Sequence, residues 1–234
     1  MVTKQMRANT WFFSILILWV TSCTENAPNP GSPTPVPAEK DGEERAYRIL
    51  ILGDSLTEGY GIPPTDAYPH LLQAKLNAQL PTGSQPYEVI NGGVTGSTTS
   101  GGATRIDWHL KSPPDFLMIA LGGNDGLRGI APQQTKNNLR KIIQKAQQIN
   151  LPVLLAGMKL PPNYGTPYLE DFENIFPQLA DELQVPLLPF LLEGVGGNPK
   201  MNLPDRIHPN SAGHQMMCET VYQHLTQHLP NFSQ

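Results

Sequence analysis

Ile49-Leu50-Ile51-Leu52 are four consecutive apolar side chains that run directly into Gly53-Asp54-Ser55-Leu56. A short apolar run closed by glycine reads as a strand buried on both faces. Such strands belong to parallel sheets covered by helices, which commits the chain to an α/β architecture. Ser55 then falls on the turn after the strand, at the C-terminal edge of the sheet, where open α/β sheets place their ligands. Two readings of it are open: the N-cap of a following helix, or a nucleophile.

The pattern after Tyr47 repeats that alternation. Strands are predicted over Arg48–Leu52, Tyr87–Ile90, Asp115–Leu121, Pro152–Met158 and Val185–Pro189. Helices are predicted over Asp66–Leu80, Thr98–Leu110, Pro132–Asn150, Tyr168–Leu183 and Ser211–Leu229, the last with Ser211 as its N-cap. Five strands separated by helices fit one doubly wound domain over residues 47–234, with no internal repeat.

The first residues read as an address. Lys4 and Arg7 precede Trp11–Val20, a stretch apolar except for Ser14 and too short to cross a bilayer comfortably. Cys23 follows Val20-Thr21-Ser22, and this arrangement resembles a bacterial lipoprotein signal. The resemblance implies cleavage after residue 22, lipidation of Cys23, and attachment to a membrane on the extracytoplasmic side of the cell envelope. Residues 23–46 hold Pro28, Pro30, Pro33, Pro35 and Pro37 and read as a disordered tether.

The remaining composition mainly excludes. A formal charge of −4 leaves no basic footprint for nucleic acid. Two cysteines cannot staple a disulfide scaffold, and Cys218, in an amphipathic stretch, reads as a core thiol. No oligomerisation motif is present, so the chain reads as a monomer.

Four stretches bring chemistry to the strand ends: Gly53-Asp54-Ser55-Leu56, Asn91-Gly92-Gly93-Val94-Thr95-Gly96, Gly122-Gly123-Asn124-Asp125 and Asp205-Arg206-Ile207-His208. A serine hydroxyl needs a base before it can attack. His208 can take the proton and return it, and Asp205, three residues earlier, can hold the imidazole tautomer. The anion that forms needs aimed donors, which Gly96 N–H, the Asn124 amide and Ser55 N–H can supply. Gly92 and Gly93 lie close enough to compete with Gly96 for that part. Asp54 reads as structural, fixing the turn.

These stretches resemble the SGNH (GDSL-type) hydrolase family over the span from Tyr47 to the C-terminus. Ser55, Gly96, Asn124 and His208 match the four residues of the family name, and Asp205 matches the acid of its Asp-x-x-His. Gly122–Gly129, Leu160-Pro161-Pro162-Asn163-Tyr164-Gly165 and Leu187-Leu188-Pro189-Phe190 are similar to its arylesterase, lysophospholipase and acyl-thioesterase branch. The resemblance implies a flavodoxin-like three-layer α/β/α fold with a five-stranded parallel sheet. It also implies a serine esterase that needs no cofactor or metal and cleaves carboxylic esters, or thioesters, of small-molecule and lipid substrates. A carbohydrate O-deacetylase could use the same machinery. The alternative from another class is an inactive lipid- or peptidoglycan-binding lipoprotein.

Leu127, Ile130, Pro162 and Tyr164 follow the third and fourth strands, and Ile207 adjoins His208; they either border an acyl or aryl group or pack as ordinary loops. His224 and His228 are four apart on a helix, but with no third ligand evident they read as solvated. His70, His109 and His214 read as surface or packing residues.

Overall fold

A computed structural model of the chain describes residues 45–232. The signal segment 1–22, Cys23, and all but the last two residues of the tether lie outside the described residues. Among the described residues, no helix is long and apolar enough to cross a membrane.

Five parallel strands form one sheet in the order β2-β1-β3-β4-β5. Their ranges are β1 Tyr47–Gly53, β2 Tyr87–Gly93, β3 Phe116–Ala120, β4 Val153–Ala156 and β5 Leu187–Leu188. That order is the flavodoxin-like one, with β1 and β3 adjacent at its topological switch point. Helix α1 (Ser55–Glu58) follows β1, and α2 (Tyr68–Ala78) follows a 3₁₀ turn at Pro64–Asp66. Helices α3 (Thr99–His109), α4 (Gly123–Leu127), α5 (Pro132–Gln147), α6 (Thr166–Glu173), α7 (Ile175–Leu183) and α8 (Ser211–Leu225) follow among the described residues. α2 packs with α8, while α3 packs with α5 and α5 with α7, forming the two outer layers that parallel crossovers require.

The sheet is the core. Ile49, Leu50, Ile51 and Leu52 of β1 and all five residues of β3 are buried, each large side chain contributing roughly 1.5–3 kcal/mol. Helices close on it through sparse apolar faces, such as Leu139, Ile142, Ile143 and Ala146 of α5.

Several expectations shift. β2 continues to Gly93 because Asn91, Gly92 and Gly93 pair with Ile51, Leu52 and Gly53; the turn begins later than the apolar run suggests. The helix expected over Tyr168–Leu183 is two helices, α6 and α7, meeting at Asn174. Pro177 explains the break: inside one continuous helix it would remove a hydrogen bond and clash, whereas in the first turn of α7 it does neither. The N-cap of α8 is Asn210, whose side chain accepts from Gly213 N at 3.0 Å. Ser211 instead donates to Asp66 Oδ2 at 2.6 Å, tying α8 to the segment before α2. The last expected turns, from Thr226, are 3₁₀.

Candidate active site

β1, β2 and β3 end side by side. Gly53 is the register partner of both Gly93 and Ala120, so the segments that follow leave the sheet from one edge. Asp54 leaves β1 as the N-cap of α1, its Oδ1 accepting from Leu56 N at 3.0 Å. Ser55 is therefore the first residue of α1, 7% exposed, and its N–H is among the donors that a helix start leaves without an intrahelical partner.

The Asp205–His208 turn is closed by a short antiparallel contact. Asn202 bridges Pro209, and Leu203 N donates to His208 O at 2.7 Å. Arg206 occupies the left-handed region at φ 62, a conformation that costs a non-glycine residue about 1 kcal/mol or more and recurs at functional sites. Asp205 Oδ1 accepts from Ile207 N and His208 N at 2.9 and 3.0 Å. Its other oxygen lies 2.7 Å from His208 Nδ1, and His208 Nε2 lies 3.0 Å from Ser55 Oγ. With its proton on Nδ1, His208 donates to Asp205 and leaves Nε2 to accept from the serine. Burial pushes the Asp205 carboxyl up, but the two N–H groups and the His208 ring outweigh it and hold the group down at about 2. Asp205 is thus an anion wherever the histidine works.

Asn124 sits on α4, immediately beyond β3. Its Nδ2 donates to Asp54 Oδ2 at 3.2 Å, joining the ends of β1 and β3. Arg128 Nη2 donates to Asn124 Oδ1 at 3.4 Å and to Gly96 O at 2.9 Å. Asp54 is 2% exposed, and burial raises its carboxyl to about 6, against the pull of Leu56 N–H, Asn124, His208 and Arg105.

The competing glycines separate by geometry. Gly93 is a strand residue where a Cβ would overlap the Glu58 backbone, and a Cβ at Gly92 would meet Ile51 O at 2.7 Å. Both are small because backbones pass close by. Gly96 lies beyond the strand at φ 74, where L residues are strained.

Of the expected lining residues, Tyr164 is tied down: its hydroxyl donates to Leu127 O at 3.0 Å. Tyr168 does the same to Ile130 O at 2.8 Å. Leu127 and Ile130 are half-buried, and Pro162 is exposed. Ile207 is 48% exposed beside His208. Three further residues, Tyr60, Arg105 and Arg128, belong to the site without a role having been read for them in the sequence, and Asp54, read as structural, does more than fix the turn. Tyr60, also 48% exposed, lays its ring on His208 at 4.5 Å between centroids. Arg105 of α3 donates to Gly53 O, Gly92 O and Ser97 Oγ. Asp54 and Arg128 orient Asn124. Tyr60 had a signal, since Gly59 ends α1 with a left-handed cap that turns the next residue back over Ser55.

A three-layer α/β/α domain with serine, histidine and carboxylate hydrogen-bonded in series at its strand ends has the architecture of a serine hydrolase. The chain belongs to the GDSL-like lipase/acylhydrolase family, whose model matches residues 51–216, and so to the carboxylic ester hydrolases of SGNH type. It is 39% identical over 181 residues to Esterase TesA of Pseudomonas aeruginosa, spanning 77% of this chain and 88% of that one. It is 40% identical, over 77% of this chain and 84% of the relative, to Thioesterase 1/protease 1/lysophospholipase L1 of Escherichia coli strain K12. The crystal structure of the psychrotrophic esterase EstA from Pseudoalteromonas sp., inhibited by monoethylphosphonate, superposes with a TM-score of 0.73 at 30% identity, covering 79% of this chain and 100% of that one.

Proposed function

We propose that this chain hydrolyses acyl and aryl esters, and thioesters, through an acyl-serine intermediate on Ser55. The observation that carries the assignment of roles is the unbroken series Asp205 Oδ2, His208 Nδ1, His208 Nε2, Ser55 Oγ, with separations of 2.7 and 3.0 Å. Ser55 Oγ attacks the carbonyl carbon while its proton passes to His208 Nε2. The oxyanion is held by Ser55 N–H, Gly96 N–H and the Asn124 amide. The C–O or C–S bond to the leaving group breaks as His208 returns the proton to it. Water then attacks the acyl-serine, its proton goes to His208, and the acid departs as Ser55 Oγ is reprotonated. Asp205 keeps the tautomer and offsets the charge of the imidazolium. Leu127, Ile130, Pro162, Tyr164 and Ile207 give an apolar border suited to an acyl or aryl group. The names carried by the relatives, an esterase and a thioesterase/lysophospholipase, support that breadth.

The test is hydrolysis of p-nitrophenyl esters from acetate to palmitate by the wild type and Ser55→Ala. Activity that depends on chain length and disappears in the variant is expected. Equal activity in the variant would remove Ser55 from the mechanism, and activity confined to acetylated sugars would favour the O-deacetylase reading.

The same proposal places the enzyme at a membrane, as a monomer on the extracytoplasmic side, through lipidated Cys23. Its support is the sequence alone: the basic residues Lys4 and Arg7, the apolar run Trp11–Val20, and the position of Cys23. Metabolic labelling with an alkynyl fatty acid should mark the wild type and not Cys23→Ala, and the variant should leave the membrane fraction. An unlabelled wild type would overturn the anchor.

A further inference from the structure

An oxyanion hole works only if its donors stay aimed, and a primary amide has a weakness there: turned over by half a rotation, Asn124 would offer an oxygen where a donor is needed. Its two ends are held here by opposite charges. Asp54 Oδ2 accepts one Nδ2–H at 3.2 Å, and the Arg128 guanidinium faces Oδ1 at 3.4 Å. Turning the amide over would set its oxygen against a carboxylate and its NH2 against a guanidinium. Only one N–H of Asn124 is engaged by Asp54, so the other is left for substrate.

Arg128 does more than hold one amide. The same Nη2 donates to Gly96 O at 2.9 Å, so a single nitrogen spans the two separate segments that supply oxyanion donors. Gly96 follows β2, and Asn124 follows β3. No backbone hydrogen bond between these two residues fixes their spacing. Arg105 pins the Gly96 turn from another direction, through Ser97 Oγ and the carbonyls of Gly53 and Gly92, but it does not reach Asn124. Arg128 is exposed, and the hydrogen bonds its side chain makes within the domain go to these two acceptors. Losing it should therefore leave the fold intact.

We infer that Arg128 is a positioning residue for the oxyanion hole, fixing the amide sense of Asn124 and its distance from Gly96 through one bridging guanidinium nitrogen. The inference rests on the proposed role of Asn124 and Gly96 as donors to the oxyanion. It makes Arg128 act on the transition state through its neighbours, without touching the substrate.

The experiment measures kcat and KM on a p-nitrophenyl ester for the wild type, Arg128→Ala, Arg128→Lys, Asn124→Ala and the double variant Arg128→Ala/Asn124→Ala, with a thermal melt for each. Arg128→Ala should lose about tenfold to a hundredfold in kcat, the scale of a misaimed rather than an absent donor. Its KM and melting temperature should stay near the wild type. Arg128→Lys should recover only part, because its ammonium keeps the charge but sits on a differently shaped, more strongly hydrated stem and does not stand where Nη2 meets both acceptors. Added guanidinium chloride at millimolar concentration should restore part of the rate to Arg128→Ala, while ammonium chloride should not. In the Asn124→Ala background, removing Arg128 should cost less than in the wild type.

A wild-type kcat in Arg128→Ala, beside a large loss in Asn124→Ala, would overturn the inference while leaving the oxyanion-hole reading in place. A raised KM with unchanged kcat would also overturn it, making Arg128 a substrate contact. Losses that simply multiply in the double variant would show that Arg128 does not act through Asn124. A wild-type kcat in Asn124→Ala would remove the reading on which the inference stands.

Discussion

Single atoms decide two matters at this site: the backbone at Gly96 and the ring of Tyr60. At φ 74, with Arg128 Nη2 3.5 Å from where a Cβ would stand, Gly96→Ala meets no clash; the cost is the left-handed backbone. We expect about 1–2 kcal/mol of lost stability in urea unfolding and a fall in kcat larger than any change in KM, since the turn relaxes away from its donor geometry. Gly93→Ala, three residues earlier, should be worse for the fold, because its Cβ would overlap backbone that has nowhere to go. If the two variants are equally stable, the distinction drawn between a strand glycine and a turn glycine is wrong. The Tyr60 ring packs against the His208 ring at 4.5 Å, so Tyr60→Ala should free the imidazole to leave Ser55. A loss of about tenfold in kcat/KM is expected, with Tyr60→Phe near the wild type because the ring, rather than the hydroxyl, makes the contact. Equal rates for all three would assign the ring to the surface alone.

The elements that carry the site are short, and other elements keep them in place. α4 spans only Gly123–Leu127 yet bears Asn124, with Arg128 as its C-cap. Too short to be stable alone, it is anchored by the buried Asp125, which accepts from Thr99 N at 2.8 Å, Thr99 Oγ1 at 2.5 Å and Thr135 Oγ1 at 3.4 Å. One carboxylate thus joins α4 to the starts of α3 and α5. Asp125→Ala would strand the Thr99 N–H in the interior, and a loss of about 2–4 kcal/mol is expected, read as a lower urea midpoint. Asp125→Asn, which keeps an acceptor, should fall between. An unchanged midpoint for the alanine variant would mean that the three bonds do not hold α4. Sequence pattern finds the strands, because Ile49–Leu52 and Phe116–Ala120 are apolar at every position and need no partner to be recognised. It finds the Asp-x-x-His turn and the serine for the same local reason. It misses α1 and α4, which are shorter than any periodicity can register, and it runs α6 and α7 together although Pro177 was there to be read. Asp54 to Asn124, Arg128 to Gly96 and Tyr60 to His208 join positions that only the sheet order brings together, and no local spacing encodes them.

Across the whole molecule, two buried titratable groups pull stability in opposite directions. Asp54 is 2% exposed, and burial raises its carboxyl from 3.8 to about 6. Between those values the folded chain keeps a proton that the unfolded chain has released. Its contribution is therefore full in acid and is lost as pH rises through 6. His214 is 1% exposed, accepts from Tyr68 N at Nδ1, and is lowered from 6.5 to about 4, first by burial and then by His208, against Asp66. Between those values the unfolded chain takes a proton that the folded chain refuses. This contribution is full above 6.5 and is lost as pH falls through 4. Each shift amounts to roughly 3 kcal/mol, so acidification from 6.5 to 4 gains through Asp54 about what it loses through His214. The two contributions nearly cancel over that range, and each variant should expose the other slope. Asp54→Asn should lose stability as pH falls from 6.5 to 4, and His214→Gln, which keeps an acceptor for Tyr68 N, should gain it. Urea unfolding of the three proteins at both ends of the range decides the matter, and parallel behaviour would show that neither group is titrating in the interior. Asp54→Asn should also lose kcat above pH 6, where the wild-type carboxyl is an anion that only accepts, because an amide facing Asn124 can donate or accept and no longer selects one sense of it. That loss would separate the part Asp54 plays in aiming a donor from the stability its burial costs.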